Sequence, residues 1–380
     1  VCSSDLLLAQ NALKGVVREA LRIAETTCGI LPGPYHLGAY SATGYYRLTN
    51  KTPCATYRAP GRYETNFVRE RLLDAIAERL GISRVDVRRI NLIKKEEMPY
   101  ARPLSVLEDD VSYDSGDYEG LLDQSLKAMD WDALQESLKA RRAKGEIVGA
   151  GFALFIEKSG LGPTDGAHVN VDTDGVVEVL TGGASVGQGF ETVVGQVCAD
   201  ILGADYRKVR VVHGRTERIE FGIGAHASRA TVMTANAVAV AAAKVRAKAL
   251  DMAAELMQAQ PGDLDIANGL VFRRDAPHGP SMKLGAVASA LRPMAKTRGG
   301  REPGLSADGW FESEHQVYPY GNQFAVVKID PATGAIAIER YLIAYDIGKA
   351  INPMLVRGQI LGGFAQGLGG AIYEEFLYDE

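Results

Sequence analysis

Cysteine is scarce and scattered. Four occur in the chain, Cys2, Cys28, Cys54 and Cys198, with no CxxC pair and no metal-ligand spacing among them. That usage argues against a disulfide framework and against an iron–sulfur cluster held by this chain alone, and it predicts a cytoplasmic protein. Long apolar runs are missing as well. A membrane-spanning helix needs about 20 such residues, whereas the nearest approach, Ala237–Ala243, is short and flanked by Asn236 and Lys244. Positive charge is not in excess: 42 Lys and Arg stand against 47 Asp and Glu, a formal net charge of −5. The chain therefore has no global electrostatic reason to seek nucleic acid or an anionic membrane. What is present is ordinary in bulk, with 46% hydrophobic and 23% charged residues in a length of 380. Those are the values of a globular protein rather than a disordered or fibrous one, long enough for two or three domains at about 100–200 residues each. The 42 glycines are the departure, and they cluster.

Both ends read as cut. Residues 1–6, VCSSDL, are what a common sequencing adapter encodes in one reading frame, and they are expected to be an assembly scar outside the fold; the terminal FLYDE stops in mid-element. Between the ends, Phe67, Leu72, Ala75, Ile76 and Leu80 recur at helical spacing ahead of Gly81, which predicts a helix over Glu64–Leu80. Ser83, with Asp86 three residues on, is a capping signal for a second helix to about Leu92, and Pro99 and Pro103 close the block. Asp130 is placed as the cap of a helix running through Trp131, Leu134 and Leu138 to Lys144, with Gly145 as the domain break. Strands are expected beyond it: Gly151–Glu157, a hairpin of Ala167–Val171 and Val176–Leu180 about DTDG, Val209–His213, and a hairpin of Gln323–Ile329 and Ala335–Ala344 about PATG. Helices are expected over Glu191–Leu202, from about Ser228 to Met257, and from Pro353 onward, with Asn268-Gly269 a tight turn. The sum is an α+β pattern of strand pairs with covering helices, without an internal repeat.

Chemistry has a small number of places to sit. GGASVGQGFET, residues 182–192, sets glycines around Gln188, so backbone can approach a ligand closely. The helix that follows offers free N–H groups and a positive dipole end, and the Gln188 amide suits a heterocycle with alternating donors and acceptors. The same residues also read as a plain strand-to-helix turn; with no GK[ST] following, they are not a P-loop. In GIGAHASRATVMTANA, residues 222–237, a loop opens into a long helix whose first turn holds Ser228, Arg229 and Thr231. Ser228 is a good N-cap, and the turn suits a phosphate or is simple capping with Arg229 solvated; His226 reads as polar surface. INPMLVRGQILGGFAQGLGGAIYEE, residues 351–375, puts glycines inside a helix at about 1 kcal/mol each relative to alanine. Close approach to another element or to a large ligand would offset that, with Gln359 and Gln366 facing the ligand. Finally, in TPCATYRAPGRYE, residues 52–64, Arg58 and Arg62 flank a turn at Ala59-Pro60-Gly61. An arginine there either stabilises developing negative charge or pairs with an acid.

Taken in order, these segments resemble the molybdopterin-binding large subunit of the xanthine dehydrogenase/aldehyde oxidase family, nearest its bacterial three-subunit members related to the carbon monoxide dehydrogenase large chain. TYRAPGR, ERLGISRVDVRRINLI, FIEKSGLGP, GQGFETVVGQVCADILG, VRVVHGRTERIEFGIGAHASRATV and DIGKAINPMLVRGQILGGFAQGLGGAIYEE carry the resemblance, which runs from about Gly33 to Glu380. It implies two elongated mixed α/β domains of the molybdenum hydroxylase large-subunit type, residues 7–145 being the C-terminal part of the first molybdopterin-binding domain and 146–380 the second. A molybdenum–molybdopterin cytosine dinucleotide would lie between them. Carried over residue by residue, Gln188 within Gly187-Gln188-Gly189 hydrogen-bonds the pterin, and Gln359 does so from another side, with Gln366 further along its helix. Ala227, Ser228, Arg229 and Thr231 lie beside the metal and the cofactor phosphates. Tyr57, Arg58 and Ala59 form an active-site turn, with Arg58 a contact to the substrate or transition state. No residue of the chain is expected to ligate the metal directly.

The implied activity is hydroxylation with water as the oxygen source and a glutamate as general base. Electrons would leave through iron–sulfur clusters and FAD on partner chains, a small and a medium subunit, in a dimer of heterotrimers. The family's GxGE motif and its GGGFG-like loop do not occur in these residues, and Glu157, Glu374 and Glu375 are read as structural, so the chain as given is expected to be inactive. Ala59 stands where carbon monoxide-oxidising members place a copper-bridging cysteine. An aldehyde, N-heterocycle or other activated C–H is therefore the expected substrate. A non-catalytic relative that keeps the fold as an assembly platform is the alternative from another class.

Overall fold

The computed structural model describes residues 23–45, 47, 50, 56–106, 109–219 and 221–379; the adapter-like residues 1–6 lie outside them. After a helical stretch at residues 23–30 come helices α1 (Arg62–Leu80) and α2 (Arg84–Asn91), strands β1 (Tyr100–Val106) and β2 (Asp109–Tyr113), and helices α3 (Tyr118–Met129) and α4 (Trp131–Ala143). Strands β3 (Ile147–Ile156), β4 (Thr164–Val171) and β5 (Val177–Thr181) lead to α5 (Phe190–Leu202), β6 (Val209–Val212) and the long α6 (Ala235–Leu256). Then follow β7 (Leu264–Ala267), β8 (Leu270–Arg273), β9 (Ala276–Lys283), α7 (Leu284–Ala290), β10 (Leu305–Glu312), β11 (Tyr320–Ile329), β12 (Ile336–Asp346) and α8 (Pro353–Leu368). No helix among the described residues is long and apolar enough to cross a membrane. The chain divides into two compact units, Val1–Lys158 with Val317–Gly348, and Ser159–Gln316 with Lys349–Glu380.

In the first unit, β3, β11 and β12 form an antiparallel sheet in the order β12-β11-β3, and β1 pairs with β2. The break expected at Gly145 falls later, at Lys158, and the PATG hairpin returns to this unit. Aromatic packing is the reason. Phe152 of β3 and Phe324 of β11 stack at 4.8 Å, and Trp131, the first residue of α4, stands edge-on to both at 5.3 and 5.4 Å, so the strand after Gly145 is built onto the helix before it. Asp130 does not cap α4 through its side chain; it is left-handed (φ 49°) and ends α3 while starting α4. Ser83 does cap α2, its Oγ accepting from the Asp86 amide at 2.9 Å.

Helix α1 forms where the periodicity places it but turns the other face inward. Phe67, Leu72 and Leu80 are 71%, 59% and 65% exposed, while Arg69, Glu70, Leu73, Asp74 and Ala77 are buried. Glu70 decides the orientation. Its carboxylate accepts from Arg88 Nε at 2.8 Å, Arg69 Nε at 3.0 Å, the Tyr35 hydroxyl at 3.1 Å and the Leu154 amide at 3.3 Å. Arg88 also meets Asp74 at 3.0 Å and lies over the Phe152 ring at 4.6 Å. A buried charge tolerates no loss of partners, so this network holds the helix in one rotation whatever its apolar stripe prefers.

The second unit is built on a sheet of order β10-β4-β5-β6. The expected DTDG hairpin pairs Val171 with Val177, and β5 runs parallel to β6 because α5 makes the crossover between them. Helix α6 lies across the sheet, burying Ala237, Val238, Ala241, Ala242, Val245 and Ala249, which explains its Ala/Val composition. A second sheet, β7-β8-β9, turns at Asn268-Gly269, both at positive φ (50° and 74°), as a two-residue hairpin demands. Small residues set the helix–sheet spacing. A Cβ at Gly309 of β10 would stand 2.3 Å from the Ala237 carbonyl oxygen and 2.4 Å from the Ala241 nitrogen. Gly309→Ala is therefore expected to destabilise the protein by ~1–3 kcal/mol through overpacking, read as a lower denaturation midpoint at unchanged m-value.

Candidate cofactor site

The glycine loop after β5 is held from two directions within the second unit. A Cβ at Gly182 would lie 2.2 Å from the Phe221 carbonyl oxygen and 2.5 Å from the Gly222 Cα, so the chain past β6 crosses here backbone to backbone, and only glycine on both strands allows it. A Cβ at Gly189 would meet the Leu355 side chain at 2.7 Å, which brings the first turn of α8 to the other end of the loop; Asn352 Nδ2 also donates to Gln196 Oε1 of α5 at 3.0 Å. Gly187 is exposed at φ 92°, and a Cβ there would meet nothing within 4 Å. Gly189 (φ 85°) starts α5 without any side-chain cap from the N-cap position, which leaves first-turn N–H groups, apart from that of Glu191, for another partner.

Gln188 is half-buried and turned onto its own loop. Its Oε1 accepts from the Val186 amide at 2.7 Å and its Nε2 donates to the Ala184 carbonyl at 3.1 Å. A carboxamide has two donor hydrogens and two lone pairs, so one of each is used to brace the loop and one of each is left to present. Gln359 shares a helical face with Leu355 one turn before it, the residue in contact with Gly189. Gln366 continues the stripe about 16 Å from Leu355 along the axis.

The segment ahead of α6 departs from its expected form. Ser228 is not an N-cap: Ala227 and Ser228 are consecutive left-handed residues (φ 46° and 53°), and the helix opens with a π-type turn over Ala230–Thr234. Ala227, Ser228, Thr231 and His226 are exposed. Arg229 goes the other way. Its side chain is fully buried in an ion pair with the equally buried Asp165 at 3.0 Å. It also donates to the Leu161, Gly224 and Thr164 carbonyls at 3.1, 3.0 and 2.9 Å. The guanidinium expected at a phosphate is thus directed into the protein, where it anchors the loop that exposes Ala227 and Ser228. Asp165 further accepts from Thr234 Oγ1 at 2.5 Å and from the Gly166 amide at 2.9 Å. Nothing in the sequence marked Asp165.

Beside the loop, Glu191 in the first turn of α5 accepts from Ser185 Oγ at 2.9 Å and meets His213 Nε2 at 3.0 Å. Its own backbone N–H, then His213, hold its carboxyl below the usual range. A Cβ at Gly358, Gly362 or Gly367 of α8 would meet nothing within 4 Å, and no residue of the helix is buried.

Tyr57, Arg58 and Ala59 belong to the first unit. Tyr57 and Tyr63 meet edge to face at 5.8 Å, Arg58 is exposed, and Ala59 is left-handed at φ 58°. Glu157, read from the sequence as structural, pairs with Arg62 at 2.9 Å, and burial pushes its carboxyl up to about 7 against the pull of Arg62. Glu374 and Glu375 are exposed.

Comparison with known proteins gives the class. A family model described as molybdopterin cofactor-binding domain matches residues 124–380, and a second of the same description matches residues 15–92. The chain belongs to the molybdopterin cofactor-binding domain family. It is 39% identical over 358 residues to the gamma subunit of the 6-hydroxypseudooxynicotine dehydrogenase complex of Paenarthrobacter nicotinovorans, covering 94% of this chain and 45% of that one. It is 32% identical to the carbon monoxide dehydrogenase large chain of Hydrogenophaga pseudoflava, over 89% of this chain and 43% of that one. Quinoline 2-oxidoreductase from Pseudomonas putida 86 superposes with a TM-score of 0.82 at 30% identity, over 95% of this chain and 47% of its own. The chain thus spans less than half the length of these relatives.

The buried pair makes a test of Arg229 possible without any ligand. Arg229→Met leaves Asp165 charged, buried and unpaired, at an expected cost of ~3–5 kcal/mol in denaturant unfolding. Arg229→Met combined with Asp165→Leu should recover most of that loss; recovery of none would show that the arginine acts elsewhere.

Proposed function

We propose that this chain carries the cofactor-holding part of a molybdenum hydroxylase large subunit. Its cofactor is molybdopterin in the cytosine dinucleotide form, and its substrate offers an activated C–H bond of the aldehyde or N-heterocycle class. The observation that carries the reading is the meeting, in one compact unit, of the Gly182–Gly189 loop with the Phe221-Gly222 segment at one end and the Leu355 turn of α8 at the other. The residues present fit a large polar ligand. Gly187 leaves backbone approachable, α5 begins uncapped, Gln188 keeps a donor and an acceptor available, and two strained residues are held exposed at 227–228. Left-handed non-glycine residues cost of order 1–3 kcal/mol each and persist where surrounding structure fixes them, typically at ligand sites.

Each segment then has a task. The amide of Gln188 and that of Gln359 orient the pterin by complementary hydrogen bonds, and the start of α5 supplies N–H groups to an anionic part of it. Ala227, Ser228 and Thr231 offer main-chain and hydroxyl contacts, while Arg229 keeps that loop in place from beneath. Arg58, on the turn of the first unit, stabilises negative charge developing on the substrate. When bound, the cofactor supplies the two-electron oxidation with water as the oxygen source. The electrons pass to iron–sulfur and FAD-bearing partner subunits in the cytoplasm; relatives named as subunits of a complex support this. Alanine at position 59 favours such substrates over copper-dependent carbon monoxide oxidation.

In the full-length protein, Gln188→Ala removes both the loop brace and the pterin contact, leaving groups unmatched at ~1–3 kcal/mol. Lower molybdenum and cytidine nucleotide content per subunit is expected from metal analysis and acid extraction. Unchanged occupancy would count against the site. Dye reduction by aldehydes or N-heterocycles but not carbon monoxide is the matching activity result.

A further inference from the structure

We infer that Glu157 is a positioning residue: together with Arg62 it clamps the 57–61 turn against the end of β3, and the clamp loosens when its buried carboxyl ionises. Its importance for catalysis rests on reading that turn as the active-site turn; the clamp itself does not.

Arg62 is the first residue of α1 and reaches three ways. Nη1 donates to the Pro60 carbonyl at 2.8 Å, Nη2 donates to the Lys158 carbonyl at 2.7 Å, and Nη2 lies 2.9 Å from Glu157 Oε1. Its backbone N–H donates to the Ala59 carbonyl at 3.0 Å. One side chain therefore joins the turn to the strand end, and both charges are largely out of water, 13% and 18% exposed. The turn needs holding. Ala59 (φ 58°) and Gly61 (φ 79°) are both left-handed, and a Cβ at Gly61 would stand 2.9 Å from Thr26 Cβ and from the Thr27 nitrogen, so residues 23–30 back it on the other side.

The charged and titratable groups around Glu157 come from each neighbouring element. Arg62 comes from α1, Arg58 from the turn and the buried Lys158 from the strand end. Tyr345 comes from β12, its hydroxyl pushed far up by burial and then by Glu157, so it stays neutral as Glu157 titrates. Burial raises the Glu157 carboxyl from 4.5 to about 7. Between those values the folded chain holds a proton that the unfolded chain has lost, so this group's contribution to stability falls as pH rises through that window. The Arg62 guanidinium is charged throughout, but its pull on the carboxylate is outweighed by lost solvation, so ionisation favours any local opening that returns the carboxyl to water. Protection at the turn therefore falls as pH rises through about 7, in a step confined to the elements the clamp joins.

The test is amide hydrogen exchange of the full-length chain, followed by mass spectrometry on peptides covering 57–62 and corrected for the pH dependence of intrinsic exchange. Wild type should lose roughly five- to tenfold protection there as pH rises through about 7. Glu157→Gln should show no such step, with the rest of the unit unchanged. Arg62→Gln, which keeps the carboxyl but removes its partner, should lose the step too and decides the matter if Glu157→Gln proves unstable. A flat wild-type profile, or a step that survives either substitution, overturns the clamp. No cofactor or substrate enters the measurement, so its failure is separate from failure of the hydroxylase reading, which metal content reports.

Discussion

The buried pair of Arg229 and Asp165 governs the segment proposed to meet the cofactor. Both side chains are sealed from solvent, where an isolated charge would cost several kcal/mol and an ion pair survives only if its remaining donors and lone pairs are met. They are met by the carbonyls of Leu161, Thr164 and Gly224 and by Thr234 Oγ1. The contacts reach forward and back along the chain, so the start of β4, the loop before α6 and the π-type turn at 230–234 are positioned together. Two consecutive left-handed residues, Ala227 and Ser228, are not stable on their own. They are held because their neighbour cannot leave Asp165.

This division of roles explains what the sequence did and did not disclose. Helices and hairpins with local signals were legible: the Ser83 cap, the Asn268-Gly269 turn, and the DTDG and PATG hairpins each depend on residues a few positions apart. The glycine loop at 182–189 was legible as a place of close approach, and the structure supplies what approaches it, Phe221-Gly222 and Leu355. Arg229 was misread because its partner lies 64 residues earlier. A guanidinium beside exposed hydroxyls in sequence points either outward or inward, and only the fold brings Asp165 beneath it. The π-type turn and the left-handed pair were equally hidden, since alanine and serine carry no preference for such backbone.

Helix α1 shows the same limit from the other side. Its apolar residues have helical spacing, yet the fold buries Glu70, Arg69 and Asp74 and leaves Phe67 and Leu72 in solvent. Hydrophobic periodicity assumes that the inward face is the greasier one. That assumption fails where a buried carboxylate is well partnered, as Glu70 is by Arg88, Tyr35 and the Leu154 amide, because the alternative rotation would strand it. Composition changes at Gly145, whereas the compact units divide at Lys158. Trp131, before the change, packs on Phe152 and Phe324, both beyond it, and composition carries no record of that contact.

The geometry of the candidate site follows from these constraints. Most of what it offers a ligand is main chain: the uncapped start of α5, the open backbone at Gly187 and the exposed 227–228 segment. Main-chain groups cannot be placed by choosing a side chain at the contact point, so their placement is delegated to residues that never touch the ligand. Asp165 does this for one loop. The glycines at 182 and 222 do it for the crossing of two strands, where any Cβ would meet backbone, and Gln188 does it partly for itself, using half of its amide to brace the loop from which the other half is presented. Side-chain identity at such a site is therefore most restricted one layer beneath the surface that meets the ligand. At the surface itself the demand is for smallness and a permitted backbone angle, and Gly187, Ala227 and Ser228 meet it.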